Sequence, residues 1–257
     1  MEYPALIKAM KKVISEYWTK NVPGIDKGWG YTPEELGFYT QVDCDRYRYD
    51  SYIPDLLDEI ALPGKKILEI GCGLGTDTRL MASLGANVIS IDLSLGNVML
   101  TNKGMMLSGY PPQAYIGDAE QLEFPENSFD AVYSFGVLHH TPNTGRAIEE
   151  IRRVLKPGGK AIIMLYHKGW AWWYLLFRYG WWDKHYMNHY DNTPLTKMYS
   201  KREIRYLFDR YYKVDIEIRT FGGSQRVWYG RIIYNILNSS KFLMNRFGSF
   251  AIIRTTA

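Results

Sequence analysis

The chain of 257 residues has only two cysteines, Cys44 and Cys72. Two thiols so far apart supply neither a disulfide framework nor a zinc-binding spacing, and they predict a reducing, intracellular setting. No apolar run approaches the roughly 20 residues that span a bilayer. The opening MEYPALIKAMKK lacks the apolar centre of a secretory signal, so the expected location is cytoplasmic. Internal repeats and low-complexity tracts are missing too. These absences exclude a disulfide scaffold, an integral membrane bundle and a solenoid. Acidic residues become scarce late: from Lys197 onward there are twelve Lys/Arg against four Asp/Glu, in a chain of net charge +4. A basic face of this kind suits an anionic substrate, a membrane surface or nucleic acid, as well as plain solvation.

Aromatic residues, in contrast, are plentiful at 15%, with 21 Tyr and 8 Trp. Residues 166–190 (YHKGWAWWYLLFRYGWWDKHYMNHY) hold many of them, and Trp170, Trp173, Tyr174, Phe177 and Trp181 recur at helical spacing. Such a face suits core packing, a pocket for an apolar or aromatic acceptor, or a membrane surface. His185 and His189 lie one helical turn apart, but two ligands make an incomplete site and no metal is expected.

The periodicities divide the chain. Residues 5–18 carry apolar positions at helical spacing. Thr32, Pro33 and Glu35 predict a capped helix start, and RYRYDSYIPDLLDEIAL predicts one further helix. Residues 1–62 therefore form an α-helical leader, and 63–257 the main domain, with 166–199 as an aromatic insert. From Lys65, short apolar strands alternate with helical stretches of 10–15 residues: KKILEIG, ANVISIDLS, QAYIGDA, FDAVYSFG and, after a KPGG turn, KAIIMLYH. That rhythm predicts a doubly wound α/β fold with a parallel sheet covered on both faces. SKREIRYLFDRY returns as a helix capped by Ser200 and Glu203, and the strands YKVDIEIRTFG and FGSFAIIRTT flank a last helical stretch.

The stretch ILEIGCGLGTDTR, residues 67–79, is a strand, a glycine turn and a helix start, a layout that presents backbone N–H groups to a ligand. A dinucleotide fingerprint needs glycine where Thr76 stands. Glu69 precedes the turn, Asp92 ends the second strand where it can accept from ribose hydroxyls, and Asp118 ends the third. The motifs LEIGCGLG, ISIDLS, GDAEQLEFPENSFDAVYSFGVLHHT and IEEIRRVLKPGG, in this order and spacing, closely resemble the class I S-adenosylmethionine (SAM)-dependent methyltransferases, type 11 group, which includes quinone C-methyltransferases. The resemblance covers residues 65–167.

It implies a seven-stranded sheet with the last strand antiparallel, SAM as cofactor and S-adenosylhomocysteine as product. It also implies that Gly71, Cys72, Gly73 and Gly75 pack on the methionyl part of SAM. Glu69 reaches its amino group or orders the turn, Asp92 holds the ribose beside Leu93, Asp118 and Ala119 meet the adenine, and Phe135 and Gly136 face the methionyl part. In similar proteins the stretch around Arg46 folds over the cofactor, where an arginine can clamp its carboxylate; Tyr39 is a candidate for the same lid.

The chemistry needs alignment of the acceptor and, for many acceptors, a base. His139 and His140, just past the fourth strand, and His167, past the fifth, are the candidates. Tyr166 and Trp170 are candidate substrate contacts. The expected activity is methyl transfer to a small-molecule acceptor. An RNA or protein methyltransferase and a non-catalytic SAM-binding partner stay open as alternatives. Nucleic acid is disfavoured, since no RNA-binding module or Asn/Asp-Pro-Pro-Tyr pattern is found. The insert departs from the quinone enzymes, so their substrate does not transfer.

Overall fold

A computed structural model describes residues 3–28, 30–169, 193–220 and 228–257. At its centre is a seven-stranded sheet of order β3-β2-β1-β4-β5-β7-β6. The strands are β1 (Lys66–Ile70), β2 (Asn87–Asp92), β3 (Ala114–Ile116), β4 (Phe129–Phe135), β5 (Leu155–Tyr166), β6 (Lys213–Arg219) and β7 (Phe250–Thr256). β1 to β5 pair in parallel, whereas β7 runs antiparallel between β5 and β6. This is the doubly wound sheet with a reversed last strand that the sequence predicts. The order turns at β1/β4, so the crevice for a ligand opens beyond their carboxyl ends.

Helices α1 (Tyr3–Lys20), α2 (Leu36–Tyr49) and α3 (Ile53–Asp58) precede the sheet; α4 (Thr76–Ser83), α5 (Leu95–Leu107) and α6 (Thr144–Val154) connect its strands. Helix α6 shows why they pack. Ala147, Ile148, Ile151 and Val154 recur at one and three residues and are all buried in the main core with Phe129, Leu165 and Phe208. Burying each isoleucine stabilises the fold by about 1.5–3 kcal/mol. A second core, on the opposite sheet face, joins Leu56, Leu57 and Ile60 to Met81, Tyr133 and Ile252.

Three local expectations change. Thr32 does bond Glu35, through its amide at 2.8 Å and its hydroxyl at 2.9 Å. That contact closes a turn ahead of the helix, which begins at Leu36. The single helix expected over 46–62 breaks between Tyr49 and Ile53, because Pro54 has no N–H to donate to residue 50 and its ring would strike that carbonyl. The KPGG segment is an excursion inside β5: Phe129 pairs with Leu155 but Ala131 with Lys160. Covered strands are the rule except at the two edges, β3, whose Tyr115 and Ile116 are exposed, and β6, where only Ile218 is buried.

Beyond β5 the chain is clasped on both sides of the insert. His167 bridges Tyr199; the Tyr199 amide donates to Tyr166 O at 2.8 Å and the Lys168 amide to Tyr199 O at 2.9 Å. Helix Lys201–Leu207 then starts with the predicted capping box of Ser200 and Glu203. Helices Trp228–Asn238 and Lys241–Phe247 fill the connection from β6 to β7. Among the described residues no helix is long and apolar enough to cross a membrane.

Candidate active site

The site is built on the turn after β1. Gly71 has φ +85°, and a Cβ on it would lie 2.1 Å from Val137 Cγ2, so only glycine fits. Gly73 has φ +56° with open space where a Cβ would stand. Asp92, at the end of β2, ties this turn to the start of α5. Its Oδ2 accepts from the Gly73 amide and from Asn97 Nδ2, each at 3.1 Å, and its Oδ1 accepts from the Ser94 amide at 2.9 Å. Burial raises the Asp92 pKa; the bonds from Ser94, Gly73 and Asn97 pull it back. The carboxylate also borders the first cavity, where it can accept from a ligand.

Two cavities meet over the turn and share Gly71, Gly73 and Phe135. The first, about 150 Å³, runs past Asp92, Leu93, Asp118 and Ala119 on one side and Gly136 and Val137 on the other. Its roof is one face of α1: Lys11, Ile14 and Trp18, spaced three and four residues apart. Lys11 Nζ reaches Asp118 Oδ2 at 2.6 Å and Glu120 Oε2 at 2.7 Å. Burial opposes the charge on Lys11, but those two acids outweigh it and hold its pKa above the ordinary value. Helix α1 is also pinned by Ser15 Oγ, which donates to Leu93 O at 2.8 Å.

The second cavity, about 270 Å³, is lined by Arg46, Glu69, Cys72, Asp77 and Tyr133. Asp77 is its centre. Arg46 donates to it in a fork, Nε to Oδ1 at 3.0 Å and a terminal nitrogen to Oδ2 at 2.7 Å. The hydroxyls of Tyr47 and Tyr133 donate to Asp77 as well, at 3.0 and 2.9 Å. The Arg46 guanidinium also lies 5.1 Å from the Phe135 ring centroid. Glu69 turns toward the sheet and accepts from the hydroxyls of Thr78 and Ser90. Burial, with the charge of Asp77 behind it, pushes Glu69 up to about 8. Burial also drives the Cys72 thiol well above its usual range, which leaves it inert as a nucleophile.

Of the three candidate histidines, His140 lines the first cavity. Its Nδ1 lies 2.7 Å from Leu195 O and donates to it, so Nε2 carries the lone pair. Burial lowers its pKa and keeps the ring neutral near pH 7. The Trp18 ring meets it edge-on at 5.1 Å. His139 points the other way. It is fully buried, stacks on Tyr166 at 3.9 Å, and has no hydrogen-bond partner on either ring nitrogen. His167 is buried beside β7, its Nδ1 2.9 Å from Gly248 O.

Several sequence-predicted residues thus do not line these two cavities. His139, His167 and Tyr166 belong to the packing around β5 and β7. Gly75 is the left-handed residue that opens α4, against Thr101. Tyr39 is wholly buried; its hydroxyl donates to Leu100 O at 3.1 Å, and the Arg79 guanidinium covers its ring at 4.8 Å. Trp170, with His185 and His189, lies outside the described residues. The remaining predicted positions, Arg46, Glu69, Gly71, Cys72, Gly73, Asp92, Leu93, Asp118, Ala119, Phe135, Gly136 and His140, all border the paired cavities. Sequence reasoning missed Lys11, Ile14, Trp18, Asn97 and Asp77. The first three carried a signal in their shared helical face, and Asp77 one in its place in the first turn of α4. Among the described residues no group of three or more His, Cys, Asp or Glu is placed to hold a metal ion.

Comparison with known proteins agrees with this geometry. Residues 68–163 match a family described as a methyltransferase domain. A sterol 24-C-methyltransferase of Yarrowia lipolytica is 40% identical over 100 residues, covering 38% of this chain and 26% of that protein. A ubiquinone biosynthesis O-methyltransferase of Maricaulis maris is 31% identical over 163 residues, covering 62% of this chain and 60% of that one. The chain therefore spans less than two thirds of the length of these curated relatives. Among solved structures, geranyl diphosphate C-methyltransferase from Streptomyces coelicolor superposes with a TM-score of 0.60 at 16% identity, over 96% of this chain and 97% of that one; the fold is shared along nearly the whole length.

Proposed function

Residues 68–163 carry a methyltransferase domain, and from that premise we propose that the chain transfers a methyl group from SAM to a small-molecule acceptor. The observation that carries this reading is the pair of cavities joined over Gly71–Gly73, with Asp92 on one side and the Arg46–Asp77 pair on the other. The residues present fit the cofactor. Open space over Gly73 lets a ligand approach the backbone. The Asp92 carboxylate on the cavity wall suits a ribose hydroxyl, and Asp118 with Ala119 borders the far end, where an adenine fits. The polar second cavity suits the amino-acid part. When bound, SAM supplies an activated methyl group on a sulfonium.

The chain's own residues then bind, orient and exclude water. Asp92 and the glycine turn hold the adenosine end, and the Lys11–Ile14–Trp18 face of α1 closes over it as a lid. His140, neutral with Nε2 unprotonated, takes the proton that an O, N or C acceptor loses. The apolar wall of Trp18, Phe135, Val137 and Pro142 favours an apolar or aromatic acceptor. Names such as sterol and ubiquinone methyltransferase among the relatives support that class. Contact with a membrane surface belongs to this reading, since such acceptors partition into lipid.

Calorimetric titration with SAM, S-adenosylhomocysteine and NADH tests the cofactor. Micromolar binding of the two sulfur compounds and none of NADH is expected; the reverse pattern overturns the reading. His140→Gln is expected to slow turnover about 10²-fold or more with SAM affinity unchanged. Equal rates would remove His140 as the base and leave the cofactor assignment standing.

A further inference from the structure

The basic excess near the C-terminus has no part in the chemistry above. After Glu217 the last forty residues contain no Asp or Glu and six Lys/Arg. Arg254 is bound to Glu59 and Glu217, and Arg219 to Glu217, so those two serve the sheet edge. Arg231, Lys241 and Arg246 are exposed on the consecutive helices Trp228–Asn238 and Lys241–Phe247, which pack against each other. On the same two helices Ile232, Ile236 and Phe242 are exposed by 51%, 52% and 76%. Ile232 and Ile236 are four residues apart and share a face, while Leu237 is buried as the anchor. Exposed branched aliphatic side chains and a phenylalanine, on the same two helices as these cations, match a surface that is negative outside and hydrocarbon beneath.

Position strengthens this match. β7 begins at Phe250, opposite both Tyr166 at the end of β5 and Arg219 at the end of β6. The two helices between β6 and β7 therefore emerge at the carboxyl end of the parallel strands, the end that carries the paired cavities. Their inner side is fixed to the fold: Ser249 O accepts from the His167 amide at 2.7 Å, and Gly248 O meets the His167 ring. Among the described residues, Glu203, on the helix whose Lys201 reaches Asn245, pairs with Lys168, and two further acids lie on β6, which the second helix packs against. There Glu217 is neutralised by Arg219 and Arg254, and Asp215 faces Lys201.

We propose that helices 228–238 and 241–247 form a docking surface for an anionic lipid bilayer, with Ile232, Ile236 and Phe242 entering the interface and Arg231, Lys241 and Arg246 meeting the headgroups. A nucleic acid would engage the cations but gives the isoleucines nothing to enter. The surface stands independently of the methyl-transfer reading, although it brings the cavity mouth to the membrane.

The test is co-sedimentation of the full chain with vesicles of phosphatidylcholine alone or with about 30% phosphatidylserine. Binding is expected only to the anionic vesicles and is weakened by about 0.5 M salt. Each cation near such a surface contributes about fivefold, so R231Q/K241Q/R246Q is expected to lower the partition coefficient about 100-fold. I232S/I236S/F242S is expected to lower it at least tenfold. Calorimetry with SAM on the same preparations checks that both variants are folded and separates the two readings: vesicle binding without SAM binding sinks only the methyltransferase. The proposal is overturned if the unaltered chain stays in the supernatant or if both variants partition as it does. It is equally overturned if a single-stranded RNA competes and only the charge variant loses binding.

Discussion

At Asp92 three donors converge on two oxygens, and the carboxylate shapes the glycine turn as much as it offers a ligand contact. Asp92→Ala orphans the buried Ser94 amide and frees the Gly73 turn. It is expected to weaken SAM binding by about 1–3 kcal/mol and to lower Tm as well; a calorimetric Kd equal to that of the parent would sink the ribose role. His139 poses the opposite case, a buried ring with neither nitrogen satisfied. Burial holds its pKa well below the usual value near 6.5, with the neighbouring His140 adding to the depression, and His140 is itself lowered. The unfolded chain therefore takes up protons first as the pH falls. The histidines' contribution to stability is complete above about pH 6.5, drops below it, and levels only under the folded-state values. His139→Phe keeps the ring on Tyr166 and removes the unpaired nitrogens. It is expected to hold or raise Tm and to flatten the acid limb of the stability curve, which melts at pH 7.5 and about 5.5 would reveal. Sequence could not choose between the adjacent histidines. Leu138–His140 is a turn of 3₁₀ helix, in which successive side chains point about 120° apart, so one faces the cavity and the other the core.

Elements were read more securely than their partners. The order of strands and helices from Lys66 to Val154 follows from hydrophobic period, because β1, β2 and β4 are buried on both faces and each helix on one. The face Lys11–Ile14–Trp18 was visible as helical, but nothing local states that it lands on Asp118. That contact joins residues 107 apart and depends on how α1 lies against α5. Since α1 roofs the first cavity, its grip bears on cofactor release. Trp18→Ala is expected to speed SAM dissociation about tenfold while changing global stability by less than about 2 kcal/mol; stopped-flow displacement measures the first and urea denaturation the second. An unchanged off-rate would demote α1 from lid to packing element. The break between α2 and α3 was misjudged for a related reason: apolar spacing continues across it, and only Pro54 interrupts the backbone bonds.

Over the whole molecule, the leader and the far sheet edge are tied by charge. Arg254 of β7 donates to both oxygens of Glu59 at 2.9 and 3.1 Å and to Glu217 at 2.8 Å. The pairs are partly exposed, so Arg254→Met is expected to cost no more than about 1 kcal/mol, a loss that shrinks in high salt. Denaturation midpoints at low and high ionic strength check it. This tie spans most of the chain and was invisible in the sequence, as were the clasp of Tyr199 and the Leu195 carbonyl that fixes the His140 tautomer.

The clasp between β5 and Tyr199 carries a consequence for descent. It closes the intervening stretch at its base with two backbone hydrogen bonds that do not depend on side-chain identity. Doubling the length of a loop closed in this way costs only about 0.6 kcal/mol. Changes of length between Lys168 and Tyr199 are therefore expected to cost the sheet little over the course of descent. Both cavities take their walls from residues between Lys11 and Pro142, so variation between these anchors leaves those walls standing.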